Sequence, residues 1–315
     1  MSRVIFGPGA RGSIVRSLQL ALRDTGCAAL DADGLFGKNT AAAVSSFQQA
    51  RALPVSGLID ADTCSALGPG LLPSLEERWL QLTAAIEGHG YTVAIGNCDG
   101  AWLTFGIVGF TLKFGQVQQI IAAISQSAHE LITSAFGQLA APLLGMMAAP
   151  RIQQRRWADS ISTPDGDLVP AWKEAFARFG GLPEVQQEQR RLAHDNYFLP
   201  ALETARHLGL VTELSAALCF DIHVQNGGVG PRAKNLLAAS LRASPPPSEL
   251  DVRCALANAV AEAALPRFAE DVRARKMAIA TGAGRVHGIQ LVLEYWGLTE
   301  MEAPELANIR SPALA

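Results

Sequence analysis

Apolar positions recur at helical spacing over most of the chain, and strand-like alternation is short and rare. Ile14, Val15, Leu18 and Leu22 mark a first helix, and Ala43, Val44 and Phe47 line one face of a second. Trp79, Leu82 and Ile86 repeat the spacing from Leu75 to Glu87. Gly88 and Gly90 follow as a stop signal, so the pattern predicts an amphipathic helix over 75–87. Residues 117–149 read as buried helix. Residues 150–170 read as a looser flap or connector, and 182–208 as a long helical region broken at Asp195-Asn-Tyr-Phe-Leu-Pro. Residues 252–280 read as one long helix with Arg267, Arg273, Arg275 and Lys276 on its polar side. The tail from Trp296 to Ala315 contains proline and is expected to be loose. The prediction is a mainly α protein with little β structure.

Turn residues divide this pattern. Asp31-Ala-Asp-Gly-Leu-Phe-Gly-Lys-Asn-Thr precedes the second helix, with Thr40 as its expected N-cap. A shortened echo, Ser56-Gly-Leu-Ile-Asp-Ala-Asp-Thr, precedes a third, with Thr63 as the expected cap. A loop, cap and helix unit therefore occurs twice within one small three-helix domain. Gly68-Pro-Gly-Leu-Leu-Pro-Ser-Leu has linker composition, and Ser244-Pro-Pro-Pro-Ser reads as a surface loop. The expected organisation is a small domain over 1–68, a linker over 69–75 and a large domain over 76–315.

The 315 residues are 49% hydrophobic and 17% charged, enough apolar surface for a substantial core. A net charge of −3 argues against nucleic acid as a partner. Five scattered cysteines (27, 64, 98, 219 and 254) without CxxC spacing indicate reduced, mostly buried thiols. No apolar run reaches the ~18 residues of a membrane span, so no stable membrane insertion is expected. The N-terminus lacks an apolar stretch of signal-peptide length. The expectation is a monomer made in the cytoplasm, with any substrate outside reached by release or delivery. Gly7-Pro-Gly-Ala-Arg-Gly matches a dinucleotide fingerprint in letters only. Pro8 disfavours a phosphate-cradling turn, and no second strand follows, so no cofactor is expected. The six histidines are dispersed and form no metal-ligand pair, which excludes a zinc peptidase. Cys219 and His223 lie on one short stretch without the setting of an activated thiol.

The chemistry concentrates in residues 84–116. Glu87 falls at the end of a helix, against the negative end of its dipole, with Ile86 and Tyr91 beside it. Both effects disfavour its ionised form, as a general acid requires. Asp99 lies among Gly96, Asn97 and Gly100 in a polar turn that favours its ionised form, as a base requires. Thr104 is placed to orient a water. A second polar stretch, Ala216-Ala-Leu-Cys-Phe-Asp-Ile-His-Val-Gln-Asn-Gly-Gly, brings Asp221, His223, Gln225 and Asn226 together before a turn.

Two resemblances give these residues a context. Val15-x-x-Leu18-Gln19-x-x-Leu22, Asp33-Gly34-Leu35-Phe36-Gly37-x-x-Thr40, Ala43-Val44-x-x-Phe47-Gln48 and Gly57-Leu58-Ile59-Asp60-x-x-Thr63 resemble the three-helix peptidoglycan-binding domain of cell-wall hydrolases. Ser56 stands where that family usually has Asp. Phe36 and Gln48 become candidate wall-binding side chains. Asp99-Gly100-x-x-x-Thr104-x-Gly106-Ile107-Val108-Gly109-Phe110-Thr111-x-x-x-Gly115 resembles the motif of chitosanases of glycoside hydrolase family 46, in the lysozyme superfamily. Phage lysozymes carry a similar Glu, Asp and Thr trio. The resemblance implies a two-lobed lysozyme-like α domain with a small β element and an inverting mechanism. In it Glu87 is the acid, Asp99 the base and Thr104 the orienter. In the resembling family a Tyr-Asp-x-x-x-x-His-Gly segment near here closes the cleft from the second lobe; Gln225 and Asn226 read as sugar-binding groups, and Asp221 and His223 either join them at the substrate or form a buried structural pair.

Two positions depart from the chitosanase motif. Ala101 replaces an Arg, and Gln116 replaces an Asp that binds cationic glucosamine. With Gln116 at this substrate position, an uncharged N-acetylated glycan is favoured. The combined expectation is a peptidoglycan hydrolase cleaving between N-acetylmuramic acid and N-acetylglucosamine, like a phage endolysin, or a secreted antibacterial effector. The alternatives are a chitosanase or chitinase, and a non-catalytic wall-binding protein.

Overall fold

A computed structural model of the chain describes residues 3–26, 29–88, 90–98, 100–245 and 248–307. In chain order the elements are β1 (Val4–Phe6), α1 (Ser13–Asp24), α2 (Lys38–Ala50), β2 (Ile59–Asp60), α3 (Ala61–Leu67) and α4 (Leu75–Glu87). Then come β3 (Ala94–Ile95), β4 (Thr104–Phe105), β5 (Phe110–Thr111), α5 (Gln116–Ser127), α6 (His129–Phe136), α7 (Ala140–Met147), α8 (Arg151–Ser160), α9 (Pro170–Gly180) and α10 (Pro183–Ala193). The last are α11 (Leu199–His207), α12 (Glu213–Asn226), α13 (Pro231–Ala243), α14 (Glu249–Ala263), α15 (Ala269–Thr281), β6 (Ala283–Val286), β7 (Ile289–Val292) and α16 (Pro304–Ala307). The protein is mainly helical, as its periodicity predicts. Two compact units form, Met1–Ile86 with Tyr197–Ala315, and Glu87–Asn196.

In the first unit, α1, α2 and α3 pack around Val15, Leu18, Leu22, Val44, Phe47 and Cys64, and β1 pairs antiparallel with β2. The internal repeat is a pair of glutamine clasps. Gln19 is 1% exposed. Its Oε1 accepts from the Gly34 N–H (2.7 Å), and its Nε2 donates to Asp33 Oδ1 (2.9 Å), Leu35 O (3.0 Å) and Thr40 Oγ1 (3.0 Å). Gln48, fully buried, repeats this on the second loop. Its Oε1 accepts from Ser56 N–H (2.9 Å) and Gly57 N–H (3.0 Å), and its Nε2 donates to Leu58 O (2.8 Å) and Thr63 Oγ1 (3.1 Å). Ser56 does the work of Asp33. Each side-chain oxygen accepts from the backbone N–H two residues on and from the clasping glutamine. Buried polar groups cost about 1–3 kcal/mol each when left unpaired, so the two clasps fix both loops.

Thr40 and Thr63 are not the caps. Both are third residues of their helices, and Gly37 and Asp60 hold the N-cap positions. Asp60 accepts from the Thr63 N–H (2.8 Å) and hydroxyl (2.6 Å).

The N-terminal helices are joined to the rest of this unit by more than the 69–75 segment. Arg3 pairs with buried Glu213 on α12, and the Gly7 N–H donates to Tyr295 O (3.1 Å). Gln81 Nε2 donates to Ser13 Oγ (2.9 Å). A Cβ at Gly7 would lie 2.7 Å from the Tyr295 ring, so the close approach needs glycine there.

Helix α4 spans the predicted residues, but burial covers nearly all of its sides. Arg78, Trp79, Leu80, Gln81, Leu82, Thr83, Ala84 and Ile86 are all buried, which marks a central helix and not an amphipathic one. Trp79 stacks near Phe198 (5.1 Å) and Phe220 (6.2 Å). Burial lowers the Arg78 pKa to about 10, Arg3 adding to the effect and Glu213 opposing it.

The expected long helix over 252–280 is two helices. Ala264-Leu265-Pro266 ends α14, because proline cannot continue the backbone ladder, and α15 folds back against it. Arg275 and Lys276 are fully buried, not on a polar face. The chain after α15 turns as the β6–β7 hairpin. The tail is anchored through residue 306, with Trp296, Leu298, Ala303 and Leu306 buried; residues 308–315 lie outside the described residues.

In the second unit, β3, β4 and β5 form one antiparallel sheet. Phe105, Phe136, Trp172, Phe176 and Phe179 form an aromatic core beneath it, with centroids 5.1–6.3 Å apart. The stretch expected to be a flap is largely helix α8. Its inward side is only Gln154 and Ala158, too narrow a stripe to stand out in a polar sequence. The break expected at 195–200 is a π-turn at His194–Phe198, which joins α10 to α11.

Burial pushes the thiols of Cys64 and Cys219 up to about 12. Cys98 is exposed, unlike the buried thiols expected, and Cys27 lies outside the described residues.

Candidate active site

Glu87 is the last residue of α4 and is half-buried. Gly88 ends the helix in the left-handed conformation (φ +69°), which only glycine adopts without strain. Ile86 and Tyr91, 3% and 5% exposed, flank the turn as the sequence implies.

Asp99 lies outside the described residues, so its side chain carries no geometry here. The residues that flank it are held by hydrogen bonds. Asn97 is its clasp. The Asn97 N–H donates to Ser162 Oγ (2.9 Å), its amide donates to Asp159 Oδ1 (2.6 Å), and its Oδ1 accepts from the Trp102 N–H (3.0 Å). That last bond closes the loop at its neck. Gly100 and Trp102 both have positive φ, +80° and +73°. For a bulky residue such as Trp102 this conformation costs on the order of 1–3 kcal/mol and persists where neighbours enforce it.

Thr104 opens β4 and is half-buried, paired in register with Ile95 and Thr111. The next residue, Phe105, points into the aromatic core and is fully buried. Because side chains alternate along a strand, anchoring Phe105 turns Thr104 to the opposite face.

Gln189 on α10 ties this sheet to the Glu87 turn. It is fully buried; its Nε2 donates to Tyr91 O (3.0 Å), and its Oε1 accepts from the Ile107 N–H (3.0 Å). Gly106 makes room for it. Its φ is +85°, and a Cβ there would lie 2.3 Å from Gln189 Oε1. The glycine of the motif therefore admits the glutamine that joins the two halves of the site.

Gln116 Oε1 accepts from the Thr111 N–H (3.0 Å), which closes the turn from β5 into α5. This contact gives the side chain a structural task in addition to the substrate contact expected of it.

The other predicted residues lie in the first unit. Asp221 is fully buried, so it offers no surface to a sugar. It accepts from Arg275 Nη2 (2.6 Å), Lys276 Nζ (2.5 Å) and Thr83 Oγ1 (3.3 Å). Burial alone would raise its pKa, but the two adjacent cations outweigh burial and hold the carboxyl well below its ordinary value. The expectation of a substrate-binding Asp221 is corrected to a core ion cluster.

His223 is half-buried, and its Nε2 meets Thr204 Oγ1 at 2.8 Å. Burial lowers its pKa, and Glu203 only partly opposes this. It lines a cavity of about 570 Å³ with Thr204, His207, Lys234 and several leucines. Gln225 is half-buried and Asn226 exposed, at the end of α12. Phe36 (3% exposed) and Gln48 (fully buried) hold the N-terminal loops from inside, so neither presents a face to the wall.

Sequence reasoning did not single out Asn97, Trp102, Asp159, Ser162 or Gln189. Gln19 and Gln48 precede the Gly-containing loops they clasp, whereas Gln189 makes the same kind of clasp on a loop more than eighty residues before it, which no local pattern marks.

A search of curated protein sequences finds no match. Among solved structures the chain is similar to the family 46 chitosanase of Gynuella sunshinyii bound to chitotetraose. Identity is 18% and TM-score 0.46, over 67% of this chain and 87% of that one. It is also similar to the native chitosanase of Bacillus subtilis MY002, at 19% identity and TM-score 0.44 over 66% and 86%. A chitosanase complex gives 20% identity and TM-score 0.45 over 69% and 95%. Residues 11–67 match the family model described as a peptidoglycan binding domain.

Proposed function

We propose that the chain is a peptidoglycan hydrolase, an endolysin-like muramidase that cleaves the glycan between N-acetylmuramic acid and N-acetylglucosamine. The observation that carries this reading is the peptidoglycan binding domain over 11–67. It shares a chain with a helix-end Glu87, a clasped loop around residue 99 and a strand-borne Thr104. Glu87 protonates the departing glycosidic oxygen. Asp99 takes a proton from water attacking the opposite face, and Thr104 orients that water. Inversion by this route requires the carboxyls roughly 6.5–9.5 Å apart. The N-terminal helices hold the enzyme on the wall and raise the local substrate concentration. The reading places the enzyme in the periplasm, after release or delivery, acting as a monomer. Among the described residues, no helix is long and apolar enough to cross a membrane.

The competing substrate is chitosan. Purified sacculi and soluble chitosan, each assayed for new reducing ends, separate the two. The expected result is release from sacculi and at least about a hundredfold less from chitosan. The reverse preference overturns the muramidase reading.

A further inference from the structure

The rim of the residue-99 loop carries two aromatic and two cationic side chains on a fixed backbone, with Phe114 and Arg151 exposed and Trp102 and Lys113 half-buried. Phe114 is 73% exposed, although large apolar side chains are mostly withdrawn from water. Lys113 Nζ lies 5.7 Å from its ring centroid. The Arg151 guanidinium lies 5.0 Å from the ring centroid of Trp102. Backbone contacts bind these residues into one surface. The Lys113 N–H donates to Ala101 O (3.2 Å), and Arg151 Nη2 donates to Lys113 O (2.8 Å). Trp102 is three residues from Asp99, and its unfavourable φ of +73° holds the ring at this rim. The strained Trp102 backbone and the exposed Phe114 ring stand on the same rim, and backbone strain of this kind clusters at ligand sites.

The chemistry of the patch selects the ligand. An aromatic face is the negative side of the ring's quadrupole and attracts the weakly positive C–H face of a pyranose. Lys113 and Arg151 add two cations within the same surface, and these repel a glucosamine polymer and attract a carboxylate. We propose that Trp102, Lys113, Phe114 and Arg151 form a sugar subsite that selects an N-acetylated glycan carrying carboxylates. The carboxylate is either the lactyl group of a peptide-free muramic acid or a carboxylate of the stem peptide. The inference rests on the peptidoglycan reading for its substrate and deepens it. Selection against chitosan is then assigned to added positive charge at this rim, besides the missing acid at Gln116.

The test uses the full chain with 4-fluorophenylalanine incorporated at Phe114, followed by fluorine NMR. Three probes are titrated: glycan strands stripped of peptide, strands with intact stems, and neutral N-acetylglucosamine tetramer. The expected result is a saturable shift with at least one strand preparation and at least about tenfold weaker binding of the tetramer. Response to stripped strands identifies the lactyl carboxylate, and response only to intact strands identifies the stem. Neutralising both cations, Lys113→Gln with Arg151→Gln, raises the apparent Kd for the strand about tenfold, the effect of about 1.4 kcal/mol. Arg151→Lys, which keeps the charge, retains binding. Equal binding of tetramer and strand, or no shift with any strand, overturns the subsite. The resonance reads occupancy and not turnover, so the two proposals fail separately. Hydrolysis of sacculi without a shift removes the subsite alone, and a shift without hydrolysis removes the hydrolase alone.

Discussion

Glu87→Gln is expected to lower sacculus hydrolysis by about 10²–10⁴-fold, the range contributed by a positioned general acid. Glutamine has the same shape and also fits the end of α4, where Gly88 and not residue 87 terminates the helix. It has no proton to give a glycosidic oxygen. Glu87 is half-buried at a helix end, so the neutral side chain leaves the melting temperature within a few degrees of the parent. Circular dichroism checks the fold, and reducing-end release checks the activity. Asp99→Asn is expected to give a loss of the same order, because the attacking water then has no base. Full activity in both variants contradicts the acid and base assignment. Loss of activity together with loss of helical signal in Glu87→Gln contradicts the view that Glu87 serves chemistry and not folding.

Asp221→Ala is expected to lose about 3–5 kcal/mol of stability, because it removes a fully buried carboxylate that pairs with the fully buried Arg275 and Lys276. At this chain's size that corresponds to a fall in melting temperature of about 5–8 °C. The cluster joins three helices, since Thr83 comes from α4, Asp221 from α12 and the cations from α15. It also has a pH signature. The folded-state carboxyl sits below its ordinary value of 3.8, so its contribution is present in full above that value. It is lost as pH falls from there toward the folded-state value. Urea melts of parent and variant therefore differ most at neutral pH and converge under acid. A difference that stays constant from pH 7 to below 3 contradicts an ionised Asp221. An Asp221→Ala protein as stable as the parent contradicts the cluster's role.

These two carboxyls show what the chain's pattern reveals. The place of Glu87 at a helix end is legible because its signals are local: a periodic apolar helix, then two glycines. That of Asp221 is not, since the cations that hold it lie more than fifty positions away. Charged residues between apolar neighbours read as a solvated face, and the spacing puts Arg275 and Lys276 on one. Only packing shows that α15 turns them inward. The same limit explains the helix over 252–280. Apolar spacing runs across Pro266 without interruption, and the break rests on one residue's missing N–H. In the N-terminal domain the repeat itself was visible, but its purpose was reversed. Gln48 repeats Gln19 because each builds its loop from within, and Phe36 is buried beneath the first of them. The motif over 99–115 gave the order of turn and strand, while its supports, Asn97 and Gln189, are single polar residues joined to distant partners.

Mass spectrometry of the soluble products from digested sacculi tests the central claim most directly. The account predicts disaccharide-peptides with a reducing N-acetylmuramic acid end, absent from a digest with Glu87→Gln. Products ending in 1,6-anhydromuramic acid, or free peptides with intact glycan strands, contradict it.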